Sequence, residues 1–196
     1  MHNHDSTFDQ IRKALNDFEA FPYESPYFPN PTDSAVLVVF HLISDQWHVL
    51  LTKRSENLTS HPGQISFPGG RVEPDDENLM ATATREASEE VGIPVSDVSV
   101  FAELTPVTTL TGYRIHPYVA FAEELPELQL QVSEVDSAFH VPLEWLIDDS
   151  NIAIVERDVG GFTIKTFRLD WGEHVIWGAT SMMIAELGHR LKHLVK

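Results

Sequence analysis

The chain has no cysteine, which removes both a disulfide framework and a thiolate that could act as nucleophile or metal ligand. No stretch approaches the roughly 18 uninterrupted apolar residues of a membrane span. The opening MHNHDSTFDQ lacks the basic and apolar regions of a secretory signal, so no membrane partner and a cytoplasmic location are expected. Basic residues are scarce as well: 13 Lys and Arg against 30 Asp and Glu leave a formal charge of −17. A field of that sign repels nucleic acid, and a polyanionic substrate would need a metal beside it. Repeats and low-complexity tracts are also absent.

What is present suits one ordinary domain. Apolar residues make up 42% of the 196, enough for a sizeable core. Residues 1–34 read as an N-terminal helix, signalled by Ser6, Asp9 and the apolar series Phe8, Ile11, Leu15 and Phe18, followed by the proline-rich connector FPYESPYFPNPT. His2 and His4, ahead of Ser6, read as disordered terminus. Residues 35–196 form the second unit. In it AVLVVFHLI and WHVLLTKR, joined by SDQ, predict a hairpin whose first strand is buried on both faces.

VSVFAEL, IHPYVAFA, IAIVE and FTIKTFRL are further strand candidates, with Gly160-Gly161 turning between the last two and Pro117 arguing for an edge or a bulge. Helices are expected over Met80–Val91 and Thr180–Leu194, the second with Met183, Leu187, Leu191 and Leu194 on one face and His189, Arg190, Lys192 and His193 on an exposed polar one. Strands interleaved with few helices predict an α/β fold with a mixed sheet.

The helix over Met80–Val91 breaks local rules. At about 100° per residue, Glu89 lies near −60° and Glu90 near +40° from Glu86, while the apolar positions fall between roughly +60° and +140°. The carboxylates therefore border the buried stripe. Glu86 and Glu90 are a like-charge i,i+4 pair, and Glu89 and Glu90 crowd the helix C-terminus before Gly92, the expected C-cap. A hard divalent cation, Mg²⁺ or Mn²⁺, would offset this, whereas zinc is disfavoured by the lack of cysteine and of an HExxH pattern. Arg85 can pair with Glu89 at i,i+4 and orient it. The alternative from spacing alone is an acidic surface helix.

The stretch from Gly69 to Ile93 resembles the Nudix box, Gly, five residues, Glu, seven residues, Arg-Glu-apolar-x-Glu-Glu-x-Gly-apolar. Gly70 matches its first glycine, and Arg85, Glu86, Ala87, Glu89, Glu90, Gly92 and Ile93 match its second half. The loop departs from it: Asp76 stands at the acid position with one extra residue before Arg85, or Glu77 serves and the extra residue precedes it. Leu50 to Gly70, LLTKRSENLTSHPGQISFPGG, resembles the signature of the coenzyme A pyrophosphatase branch, with Thr59 a mild departure. VPLEWL and IWGATS echo that branch's later segments.

The resemblance implies a Nudix-type α/β/α sandwich with a catalytic loop-helix-loop. It implies metal-dependent hydrolysis of coenzyme A or a derivative to 3′,5′-ADP and 4′-phosphopantetheine. Glu86, Glu89 and Glu90 would be metal ligands, with Glu89 or the loop acid Glu134 accepting the proton of the attacking water. Gly69 and Gly70 would form a tight turn that offers a carbonyl to the metal. Arg54 is the favoured cation for the substrate's phosphates, with Arg71 and Lys53 nearby. A coenzyme A-like nucleotide is the expected partner, nucleic acid is not, and a homodimer is left open. The alternatives are a Nudix hydrolase for ADP-ribose or NADH, or a non-catalytic nucleotide-binding Nudix domain.

Overall fold

A computed structural model of the chain describes residues 2–17, 28–159 and 161–194. Helix α1 runs His2–Asn16, so it begins before Ser6, which lies inside the helix and not at its cap, and the terminus expected to be disordered is helical. It seats Ile11 and Leu15 in the main core, and the Asn16 amide donates to Phe101 O at 3.0 Å. Phe18 and the proline-rich connector as far as position 27 lie outside the described residues.

Strand β1, Thr32–Ile43, and β2, Gln46–Arg54, form the expected hairpin, turning on Ser44 and Asp45, both with positive φ. β1 is central. Val38 and Phe40 enter one apolar cluster while Ala35, Leu37 and Val39 enter the other, so the strand is buried on both faces. β2 then leaves β1, and the gap is filled by β3, Ile65–Ser66, paired with β2, and β4, Gly69–Arg71, paired with β1. Helix α2, Leu79–Val91, closes one sheet face with Ala83, Ala87 and Val91. Its N-cap is Asn78, whose side chain accepts from the Ala81 N–H at 2.9 Å, and its C-cap is Gly92 at φ 75°, as expected.

β5, Ser99–Glu103, and β6, Val107–Thr108, both pair antiparallel with β7, Tyr113–Ala122, which runs parallel to β1 on its other side. Pro117 therefore sits in an interior strand and not at an edge. It is tolerated there because it falls at the junction between β5 and β6, where Pro117 O accepts the Leu104 N–H at 2.9 Å and the missing N–H of Pro117 breaks no rung.

VDSAFHVP, which carries no strand signal in the sequence reading, forms β8, Val135–Pro142, along β2. The short helix α3, Leu143–Leu146, leads to a second, three-stranded sheet of β9, Ala153–Val159, β10, Phe162–Trp171, and β11, His174–Trp177. Helix α4, Ala179–Leu191, covers the other face of the main sheet, completing an α/β/α sandwich.

α4 is buried on nearly all sides, not amphipathic. Its Arg190, expected on a polar face, is 7% exposed and donates to Leu15 O at 2.7 Å and to the Glu186 carboxylate, which also takes the Thr105 N–H and hydroxyl. The helix is enclosed by α1 on one side and by β10 and β11 on the other, so its polar residues must pair internally. No helix among the described residues is long and apolar enough to cross a membrane.

Candidate active site

β4 and α2 make the site. The Glu90 side chain is 4% exposed and accepts the Gly69 N–H at 3.0 Å. Glu86 faces Gly70 so closely that a Cβ there would stand 2.3 Å from its Oε1. At Gly69 a Cβ would meet Ala35 O at 2.4 Å. The two glycines thus lie in strand β4 and not in the expected tight turn. Their missing side chains let β4 pass between the β1 backbone and the α2 carboxylates.

Burial is the leading cause of two raised pKa values. Glu90 is pushed up to about 7, against the Gly69 N–H and the Arg54 charge that lower it, and Glu86 is raised as well, against Arg85. Glu134, exposed and directly before β8, adds negative charge that raises both, so it stands on the same side of the site. Its backbone is fixed by the Ser55 N–H, which donates to Glu134 O at 2.8 Å.

Arg85 organises the acids. Its Nη1 meets Glu89 Oε2 at 3.0 Å, the expected ion pair, and Nη2 lies 3.2 Å from Glu86 Oε1. Its strongest partner is Asp76, reached by Nε at 2.9 Å and Nη2 at 3.1 Å, a planar fork on a carboxylate. Asp76 also takes the Glu73 N–H and the Thr82 hydroxyl, both at 2.8 Å, and Arg85 holds its carboxyl well below the usual range. Asp76, not Glu77, therefore ties the loop to the helix. The sequence signal for it was its position in the box, and Thr82 gave none.

The cations divide. The β2–β8 register shifts at Lys53/Arg54, and Arg54 Nη1 comes within 3.9 Å of Glu90 Oε1, while its buried Nε has no hydrogen-bond partner. Lys53 is held by Glu56 at 3.3 Å and Asp136 at 3.4 Å. Arg71 lies over the Tyr113 ring, 5.1 Å from its centroid, and donates to the Tyr113 hydroxyl. His61 bonds Gln64 at 3.0 Å through Nδ1.

Among the described residues no three His, Asp or Glu side chains stand together as a ready metal cage, because Glu89 turns outward to Arg85. The donor set of Glu86, Glu90 and the β4 backbone nevertheless fits a hard cation. Two largely buried carboxylates have too few cations of their own, and such a metal commonly takes one or two carboxylates and fills its other positions with water and phosphate.

The NUDIX domain family matches residues 31–159. Similar proteins include the Nudix hydrolase NudL of Yersinia pestis (strain Pestoides F) and that of Yersinia pseudotuberculosis serotype O:1b (strain IP 31758). Each is 33% identical over 168 residues, 85% of this chain and 84% of the relative. Among solved structures, a MutT/nudix family protein from Enterococcus faecalis superposes with a TM-score of 0.58 at 17% identity over 95% of this chain and 74% of that one. A C. elegans Ap4A hydrolase in a binary complex gives 0.50 at 20% identity over 57% and 80%. At these identities the structural likeness speaks for the fold alone.

Proposed function

The chain belongs to the Nudix hydrolases, enzymes that act on nucleoside diphosphate derivatives with divalent metal, and from that premise we propose that it hydrolyses the pyrophosphate bond of coenzyme A or a derivative in the cytoplasm. The reaction adds water across one phosphoanhydride: a P–O bond forms to the water oxygen, the bridging P–O bond breaks, and 3′,5′-ADP and 4′-phosphopantetheine leave. The single observation that carries the reading is the convergence of partly buried Glu86 and buried Glu90 on the side-chain-free strand Gly69–Gly70, at the end of the segment Leu50–Gly70 that resembles the coenzyme A branch.

Glu86 and Glu90 would hold Mg²⁺ or Mn²⁺, joined by a carbonyl of Gly69 or Gly70. The metal supplies charge neutralisation on the phosphates and acidifies bound water. The chain's own work is positional. Gly70 leaves room for the Glu86 carboxylate, and the Gly69 N–H fixes that of Glu90. Arg85, clamped by Asp76, holds Glu89 at the rim, where it would ligate the metal or take the proton of the attacking water. Glu134, whose charge acts on Glu86 and Glu90, is the second carboxylate we assign to that proton. Arg54 would neutralise Glu90 and the adjoining phosphate.

The test is to incubate purified protein with coenzyme A with and without Mn²⁺, beside Glu90→Gln. Metal-dependent release of 3′,5′-ADP that the variant loses supports the reading. Full activity in the variant contradicts the role of Glu90.

A further inference from the structure

Coenzyme A carries a third phosphate, the 3′-monoester, which stays outside the reacting pyrophosphate and needs a cation of its own on a chain of charge −17. Resting on the reading above, we infer that this phosphate is gripped by Arg71, held ready on the ring of Tyr113, and that this pair sets the preference for a 3′-phosphorylated nucleotide.

The other cations around the site are already engaged. Arg54 is turned to Glu90, Arg85 to Asp76, Glu86 and Glu89, and Lys53 to Glu56 and Asp136. Lys53 also borders a cavity of about 330 Å³ lined with Gln64, Glu173 and Trp177; with Glu56 and Asp136 already on its ammonium and Glu173 in the lining, no ammonium or guanidinium is left there for a phosphate, while an uncharged amide-bearing arm needs none. Arg71 has no carboxylate partner among the described residues, and its partner is the Tyr113 phenol. A guanidinium has five N–H donors, so the bond to Tyr113 leaves a fork free for two phosphate oxygens.

Position favours the same end. Arg71 directly follows Gly70, and its carbonyl accepts from Arg85 Nη2 at 3.1 Å, so its backbone is tied to the acidic helix. Tyr113 is fixed in turn, its N–H donating to the Thr109 hydroxyl at 3.0 Å and its carbonyl accepting the Thr109 N–H at 2.7 Å. From Ile65, which lines that cavity, to Arg71 is six steps across the bend at Pro68, a reach of at most about 20 Å. An elongated substrate can therefore lie with its phosphorylated nucleoside at Arg71, its pyrophosphate at Gly69–Gly70 and its arm toward the cavity.

The experiment measures kcat/KM for coenzyme A and 3′-dephospho-coenzyme A in the wild type, Arg71→Gln, Arg71→Lys and Arg114→Gln. It also measures calorimetric binding of 3′,5′-ADP and 5′-AMP to the same proteins. The ratio of the two kcat/KM values should fall about 10- to 100-fold in Arg71→Gln, the worth of hydrogen bonds to a charged group, and less in Arg71→Lys. In Arg114→Gln, whose arginine pairs with Asp33, the ratio should stay as in the wild type. A wild-type ratio near one, or an equal loss on both compounds, overturns the inference. If neither compound is cleaved, the pyrophosphatase reading fails by itself, and the calorimetry still decides: the inference stands only if Arg71→Gln weakens 3′,5′-ADP and spares 5′-AMP.

Discussion

Arg85 grips Asp76 with two hydrogen bonds, Nε at 2.9 Å and Nη2 at 3.1 Å, and with its remaining nitrogen holds Glu89 at 3.0 Å. One side chain thus couples the loop to the acid at the rim. Asp76→Asn keeps the shape but removes the charge that fixes the guanidinium, and should lower kcat by about 10- to 100-fold, the usual cost of losing a group that orients a ligand. Metal-saturated turnover would check this; an unchanged kcat would show that Arg85 needs no clamp.

The glycines of β4 should fail differently. A Cβ at residue 70 meets the end of the flexible Glu86 side chain, so Gly70→Ala should stay folded and lose about 10- to 100-fold in activity as that carboxylate is displaced. A Cβ at residue 69 meets the β1 backbone, so Gly69→Ala should lower the melting temperature as well. Circular dichroism melts beside the activity assay separate the two.

Burial raises Glu90 from 4.5 to about 7, so between those values the folded protein keeps a proton that the unfolded chain has lost. Without metal, this group's contribution to stability is present below about pH 4.5 and lost as pH rises through 7. A metal takes only the ionised form, so the rise in Tm given by Mn²⁺ should be larger at pH 8 than at pH 5.5. Equal increments at both pH values would remove Glu90 from the ligands.

The Glu186–Arg190 pair, with side chains 2% and 6% exposed, lies away from the site and carries stability. Glu186→Ala removes one carboxylate from a buried guanidinium, together with the acceptor of the Thr105 N–H and hydroxyl, and should cost about 1.5–3 kcal/mol in urea unfolding. A loss near zero would mean that water reaches Arg190.

The sequence made local features legible. The hairpin of β1 and β2, helix α2 with its Gly92 cap, and the acids Glu86, Glu89 and Glu90 at the edge of the buried face all follow from periodicity and capping, which act within a few residues. What it hid depends on neighbours distant in the chain. β8 alternates too weakly to announce itself and is a strand because β2 offers an edge. Pro117 is interior because β5 and β6 break opposite it. Arg190 is buried because α1 lies on α4. Arg54 faces Glu90, whereas Arg71 lies on Tyr113 with no carboxylate partner among the described residues, a sorting that no spacing rule contains. At Gly69 and Gly70 it is close approach to the β1 backbone and to Glu86, not a turn, that requires the missing side chains.

Competitive turnover tests the central claim most directly. Coenzyme A, ADP-ribose and NADH are offered together at equal concentration with Mg²⁺, and the products are separated by chromatography. The account predicts that 3′,5′-ADP and 4′-phosphopantetheine appear first, with the largest kcat/KM. Cleavage of ADP-ribose or NADH while coenzyme A stays intact would contradict it.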